Sequence, residues 1–291
     1  MSDFNFSKIV IIEALEHDEF KSGTALCEYI NGLKEDNPES PTAHLVDVTG
    51  CDGFFSVIEA LIEEAQRLGE APILHIEMHG FEDKSGLSFP DGTSLGWDDL
   101  ALALTKLNKA IEFNLVVCVA ACFGGNFINA VRPDDPSPCF ALIGPSDFTD
   151  GAELLGSFRS LYRTLLTTLS ASDALVALHS HQLNVGAFYS ISAEQWFFRL
   201  ADDYLRKCCT KEKLKERRDA IIEALISEGK EINAAQKAIL ADMGRNMAFT
   251  FLERRFPTFF MTDDIPRNHA RFLSSLMVAR ERVADFIASQ S

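Results

Sequence analysis

Two residues of this chain have the type and setting for nucleophilic chemistry. His79 closes the run Ile73-Leu74-His75-Ile76-Glu77-Met78-His79-Gly80. Cys122 closes the run Leu115-Val116-Val117-Cys118-Val119-Ala120-Ala121-Cys122. A thiolate is a good nucleophile near neutral pH and needs less help from a base than a serine hydroxyl does. An imidazole can take the thiol proton and return it to a leaving group. Gly80 follows the histidine directly, and Gly124 and Gly125 follow the cysteine after one residue, so the backbone can approach a substrate closely at both places. The pair is 43 residues apart in the chain, so folding must bring it together.

The elements around the pair can do so. Each run is short, apolar and flanked by breakers, which predicts a buried strand of a mostly parallel sheet. In open α/β sheets chemistry sits at the carboxyl ends of the strands, and neighbouring strands would place His79 and Cys122 on one edge. Upstream, residues 8–15 read as a first strand, followed by the acidic loop Glu16, His17, Asp18, Glu19. Leu26, Tyr29, Ile30 and Leu33 recur at helical spacing, with Ser22 or Thr24 to cap the start. Residues 43–48 read as a second strand. Asp52 then caps a helix whose apolar face is Phe54, Val57, Ile58, Leu61, Ile62, Ala65 and Leu68, ended by Gly69. This β-α-β-α-β order has crossovers long enough for helices, hence a parallel sheet.

Between the two candidate residues, Pro90-Asp91-Gly92 marks a small hairpin, and residues 97–107 read as a helix starting at Gly96. After Cys122 come a short helix over 126–131, a rigid proline-rich loop over 132–138, and a strand over 139–143 stopped by Gly144-Pro145. Helices over 153–169 and from Ser172, then a sixth strand over 187–191, complete the α/β part. Beyond Glu194 the pattern is helical, with breaks expected at Phe256-Pro257 and Ile265-Pro266. The expectation is an α/β domain over 1–193, with a mostly parallel sheet of about six strands flanked by helices, and an α-helical region over 194–291.

Composition bounds the function. The chain has 291 residues, is 47% hydrophobic and carries a net charge of −16. It can bury a full core, and its charge argues against nucleic acid or an anionic membrane as the main partner. Seven cysteines without paired spacing suit free thiols in a reducing compartment. Neither a signal-peptide pattern nor a membrane-length apolar run is present, so a cytoplasmic location is expected.

The ordered residues His79-Gly80 and Ala121-Cys122-Phe123-Gly124 resemble the caspase-like cysteine peptidases: caspases, metacaspases, gingipains, separases and bacterial CHAT-domain proteins. Caspases carry Gln-Ala-Cys-x-Gly with a histidine about 50 residues upstream; here Ala120 stands in place of the glutamine. The hairpin Gly86-Leu87-Ser88-Phe89-Pro90-Asp91-Gly92 and the helix start Trp97-Asp98-Asp99-Leu100 look most like CHAT proteins, as does the following strand Phe140-Ala141-Leu142-Ile143-Gly144-Pro145. The resemblance covers roughly residues 8–193. It implies a caspase-like fold and a cysteine endopeptidase acting on protein or peptide substrates, with Cys122 as nucleophile and His79 as base and acid. It implies backbone N–H groups of Gly80 and Cys122 as the oxyanion hole. No cofactor is implied.

For the substrate side chain before the cut, two readings stand. Lys21 occupies the segment where caspases carry a pocket arginine and would favour an acidic residue. Asp147, Asp150 and Glu153 follow the fifth strand and would favour a basic one, as in metacaspase-like and CHAT-like relatives. The acidic rim favours the basic residue. Control is expected through a partner, a ligand or self-association of the helices after residue 193. The loop over 132–138 is too stiff and short for activation by a cut there.

A lone free cysteine at a strand end is most often a small packing residue, and Cys122 alone would read so. His75, Glu77 and His79 share one strand face, so a zinc-dependent hydrolase built on them is an alternative. A catalytically silent caspase-like binding module is another.

Overall fold

The structure is a computed structural model that describes residues 4–35, 38–132 and 134–290. Strands β1 (Lys8–Ala14), β2 (Thr42–Asp47), β3 (Pro72–Gly80), β6 (Val116–Ala120), β7 (Ala141–Pro145) and β8 (Phe188–Ser192) form one sheet in the order β2-β1-β3-β6-β7-β8. The first five run parallel and β8 joins β7 antiparallel. A hairpin of β4 (Gly86–Ser88) and β5 (Ser94–Gly96) hangs from the end of β3, which makes eight strands in all. The fold is α/β with a mostly parallel mixed sheet.

Helices α1 (Ser22–Gly32), α2 (Cys51–Leu68), α3 (Trp97–Ala110), α4 (Gly151–Thr168) and α5 (Ala171–Ser180) connect the strands. Every residue of β1 and β6 is buried, as expected when helices cover both faces of a central strand. The stripe Phe54, Ile58, Leu61 and Ala65 turns α2 onto the sheet, and Gly69 closes that helix at φ 69°, a left-handed backbone that glycine adopts without strain.

Some local expectations differ from the structure. Ser22 and Thr24 do not cap α1. The cap comes from outside, because the buried Glu13 on β1 accepts both the Thr24 N–H (3.0 Å) and its hydroxyl (2.8 Å). A carboxylate there meets the positive end of the helix dipole. Asp52 sits in the first turn of α2 and Gly50 takes the cap. Gly144-Pro145 does not stop β7 but belongs to it, pairing with Tyr189 and Phe188. The stretch over 124–130 is a 3-10 helix. Pro133 of the proline-rich loop lies outside the described residues.

By backbone contacts the chain divides into two compact units, residues 1–131 with 137–193, and residues 132–136 with 194–291. The second holds α6 (Ala193–Cys208) from its second residue, α7 (Lys211–Ser227), α8 (Ala234–Phe259) and α9 (Arg267–Ser289). Its core gathers the buried Trp196, Phe197, Phe256, Phe259, Phe260 and Phe272. Asn233 and Gln236 form a reciprocal capping box at the start of α8. Pro266 stands at the start of α9 as expected, but Pro257 lies inside α8. The helix ends two residues after it, at Phe259, and the chain turns left-handed at Met261 (φ 53°). Among the described residues no helix is long and apolar enough to cross a membrane.

Candidate active site

The sheet register brings the candidate pair to one level. β3 and β6 pair in parallel up to Glu77 opposite Ala120. Two residues further along each chain stand His79 and Cys122, at the carboxyl edge of adjacent strands. Both line a cleft of about 390 Å³. Leu15, Glu19, Phe20 and Ser22 reach it from the β1 side, and Thr149, Asp150, Gly151, Ala152 and Leu154 from the β7 side.

His79 is oriented by a residue that sequence reading placed only in an acidic loop. Nε2 of His79 lies 2.8 Å and 3.0 Å from the two carboxylate oxygens of Glu19. A carboxylate only accepts, so the ring proton stays on Nε2 and Nδ1 is the basic nitrogen of the neutral imidazole. The loop is built to hold that carboxylate. Glu19 also accepts the Glu16 N–H (2.7 Å), its own N–H donates to the Glu16 carbonyl (3.2 Å), and the Lys21 ammonium donates to the Leu15 carbonyl (2.7 Å). Burial pushes the Glu19 carboxyl up. Hydrogen bonds from His79 and the Glu16 N–H, with the charges of His79 and Lys21, outweigh it and leave its pKa below the ordinary glutamate value.

Cys122 sits on a sharp turn. Phe123 directly after it is left-handed at φ 59°, an uncommon conformation for a residue with a side chain, of the kind that gathers at functional sites. The Phe123 N–H donates to the Asp147 carbonyl (3.1 Å) and the Gly124 N–H returns to Ala121 (2.9 Å). The half-buried Cys122 thiol donates to the Thr149 carbonyl at 3.6 Å. Other thiols differ in setting. Cys118 and Cys139 are fully buried, and burial pushes Cys118 up to about 12 and raises Cys139 as well.

Gly80 closes the site from the other side. A Cβ at Gly80 would stand 1.8 Å from the Cys122 carbonyl oxygen, so only glycine permits this approach of the two chains. Phe81 donates its N–H to Gly86 (3.1 Å), which makes Phe81–Gly86 a hydrogen-bonded pair of the β3–β4 ladder. The neighbouring Gly80–Leu87 pair is then the non-bonded kind, and the Gly80 N–H is directed away from β4.

Of the expected pocket residues the structure brings only Asp150 to the cleft. It caps α4 by accepting the Ala152 N–H (2.7 Å). Asp147 and Glu153 do not line it: Asp147 accepts from the Phe148 N–H (2.8 Å), and Glu153 from the Asn184 N–H (3.1 Å) in the following loop. Lys21 does not line it either, because its ammonium is folded back onto Leu15. Glu77, expected only in the metal alternative, does line it. It is 2% exposed, accepts the Ser22 hydroxyl (3.0 Å) and faces His75 (3.2 Å).

His75, Glu77 and His79 share a strand face but not a common focus. His75 is fully buried between Tyr162 and Glu77, each 3.2 Å from one of its ring nitrogens, while the exposed ring of His79 turns to Glu19. Among the described residues no group of three or more His, Cys, Asp or Glu is arranged to hold a metal ion.

No protein-family model matches this chain, and no curated protein matches it.

Proposed function

We propose that the chain is a cysteine endopeptidase on a caspase-like fold, with Cys122 as nucleophile and His79 as general base and acid. The observation that carries the reading is the placement of His79 and Cys122 at one level of adjacent strand ends, both lining one cleft, with Glu19 on Nε2 of the His79 ring. In the first step Nδ1 of His79 takes the thiol proton and the Cys122 sulfur bonds to the scissile carbonyl carbon. The N–H groups of Gly80 and Cys122 hold the oxyanion. The carbon–nitrogen bond then breaks, and His79 returns its proton to the leaving amine. Water, giving its proton to His79, attacks the thioester and regenerates the thiol. Glu19 keeps the ring in the working tautomer.

Glu19, Glu77 and Asp150 line the cleft without any Lys or Arg, which supports a basic residue before the cut. Control through a partner, a ligand or self-association of residues 194–291 in a cytoplasmic setting belongs to the same proposal. The test is a peptide-library cleavage profile of the wild type beside Cys122→Ala. Cleavage that disappears in a folded Cys122→Ala supports the reading, and cleavage that persists there ends it.

A further inference from the structure

We infer that three loops around the cleft form an aromatic rim that grips large apolar side chains flanking the cleaved residue of a polypeptide substrate. This rests on the endopeptidase reading of the same site and adds to it a sequence preference on either side of the cut.

The chain contains 23 phenylalanines. Among the described residues three are exposed: Phe20 at 57%, Phe81 at 36% and Phe148 at 61%. Each is the immediate chain neighbour of a group that touches the candidate pair. Phe20 follows Glu19, which holds the His79 ring. Phe81 follows Gly80, which lies against the Cys122 carbonyl. Phe148 precedes Thr149, whose carbonyl accepts from the Cys122 thiol. The three stand on separate loops, after β1, β3 and β7. Phe20 lines the cleft itself. Phe81 lies two residues past His79 on extended chain and so shares its face.

A single exposed apolar side chain is ordinary. Three of the largest apolar type, brought to one edge by three loops, need a reason, since apolar surface rimmed by polar groups marks binding sites. Packing does not supply that reason, because the loops are held by their backbones. The Phe20 carbonyl accepts the Ser22 N–H (3.0 Å), Phe81 exchanges bonds with Gly86 and Lys84, and the Phe148 N–H meets Asp147. The Phe20 and Phe148 rings are more than half exposed on these loops, and Phe81 is about one-third exposed. The occupant is an extended polypeptide: the acidic floor of Glu19, Glu77 and Asp150 suits a cation at the cleaved residue, Phe20 lines the same cleft, and Phe81 and Phe148 stand on the loops that leave the same sheet edge after β3 and β7.

The test uses the full chain and paired fluorescent decapeptides, one pair centred on Arg and one on Asp. Within a pair the residues beside the centre are Leu and Phe in one peptide and Ser in the other. Binding is measured by anisotropy on Cys122→Ala, and kcat/KM on the wild type. The apolar-flanked peptide should bind about tenfold more tightly. Phe20→Ser, Phe81→Ser and Phe148→Ser should each remove about twofold of that preference, and the triple variant nearly all of it, with unchanged thermal melts. A preference absent from Cys122→Ala, or one that survives in the triple variant, overturns the inference. Phenylalanine-dependent binding without any cleavage by the wild type supports the rim while defeating the peptidase reading; cleavage with no flank preference does the reverse. A dimer that dissociates in the triple variant, with no flank preference, would make the rim a contact between copies and overturn the inference.

Discussion

Replacing Gly80 with alanine probes the tightest contact in the candidate site. The added Cβ would stand 1.8 Å from the Cys122 carbonyl oxygen and 2.9 Å from its carbon. That is roughly 1.5 Å short of ordinary contact. The obstacle is the backbone of Cys122, which cannot swing aside as a side chain would. It is pinned by the left-handed Phe123 and by the Gly124 bond to Ala121. Relief therefore means that the His79 strand and the Cys122 turn move apart by on the order of 1 Å. Misplacement of reacting groups on that scale costs about a hundredfold. Overpacking should also destabilise the fold by about 1–3 kcal/mol. Gly32→Ala is the control, since a Cβ there meets nothing within 4 Å. The assays are kcat/KM on a peptide, the rate of Cys122 alkylation by iodoacetamide, and a thermal melt. A folded Gly80→Ala within twofold of wild type in both kinetic assays would refute the placement of Gly80 against Cys122.

Further outcomes are expected. Cys122→Ala and His79→Ala should each abolish peptide cleavage with unchanged circular dichroism, and the double variant should be no worse, because the two act as a unit. Glu19→Gln keeps the shape of the side chain and removes its charge; the pair is half exposed, so the loss of kcat/KM should be only about two- to fivefold. The Glu19 pKa is lowered in the fold, so its contribution to stability is present above the ordinary glutamate value and lost as pH falls through the folded one. Denaturant melts should separate wild type from Glu19→Gln at about pH 6, and the gap should narrow as pH falls below the ordinary glutamate value. Asp150→Asn retains the helix cap but not the charge, and should raise KM about fivefold for Arg or Lys substrates and leave neutral ones unchanged. If Lys21→Ala instead abolishes cleavage after Asp or Glu, the basic preference is wrong. Intact mass of the active protein should show no cut within residues 132–138; a cut appearing in step with activity, and absent from Cys122→Ala, would contradict single-chain action.

The meeting of His79 and Cys122 was legible because it depends on few quantities. Two apolar runs of strand length, separated by a hairpin and one helix, leave little choice but adjacent parallel strands. Once the strands are adjacent and parallel, the last residues of both share an edge. The eight-stranded sheet differs from the expected six by the hairpin, which was read as a hairpin but not counted. Capping was less legible, since Ser22 and Thr24 are good caps by type. Glu13, eleven residues before Thr24 in the chain, displaced them only because β1 delivers its carboxylate to the first turn of α1.

The pocket was legible only as a sign of charge, and the reason is physical. Which carboxylate of the loop over 16–19 turns to His79 depends on the Glu16–Glu19 turn and on Lys21 bonding to Leu15, contacts that residue types do not announce. The same bond takes Lys21 out of the cleft. Asp147, Asp150 and Glu153 were indistinguishable as neighbours after a strand. Only the start of α4 separates them, because the residue that caps a helix stands at the mouth of the cleft while the one three positions on turns toward the Asn184 loop. Glu77 was assigned to a metal reading because alternation put it beside two histidines. Its bond to Ser22, from a helix fifty-five residues earlier, is what draws it to the floor of the cleft instead. A carboxylate held at 2% exposure by a hydroxyl and an imidazole is a costly thing to bury. A cationic substrate side chain above it would offset that cost, which is why the charge of the cleaved residue is the property of the substrate that the site should read most strongly.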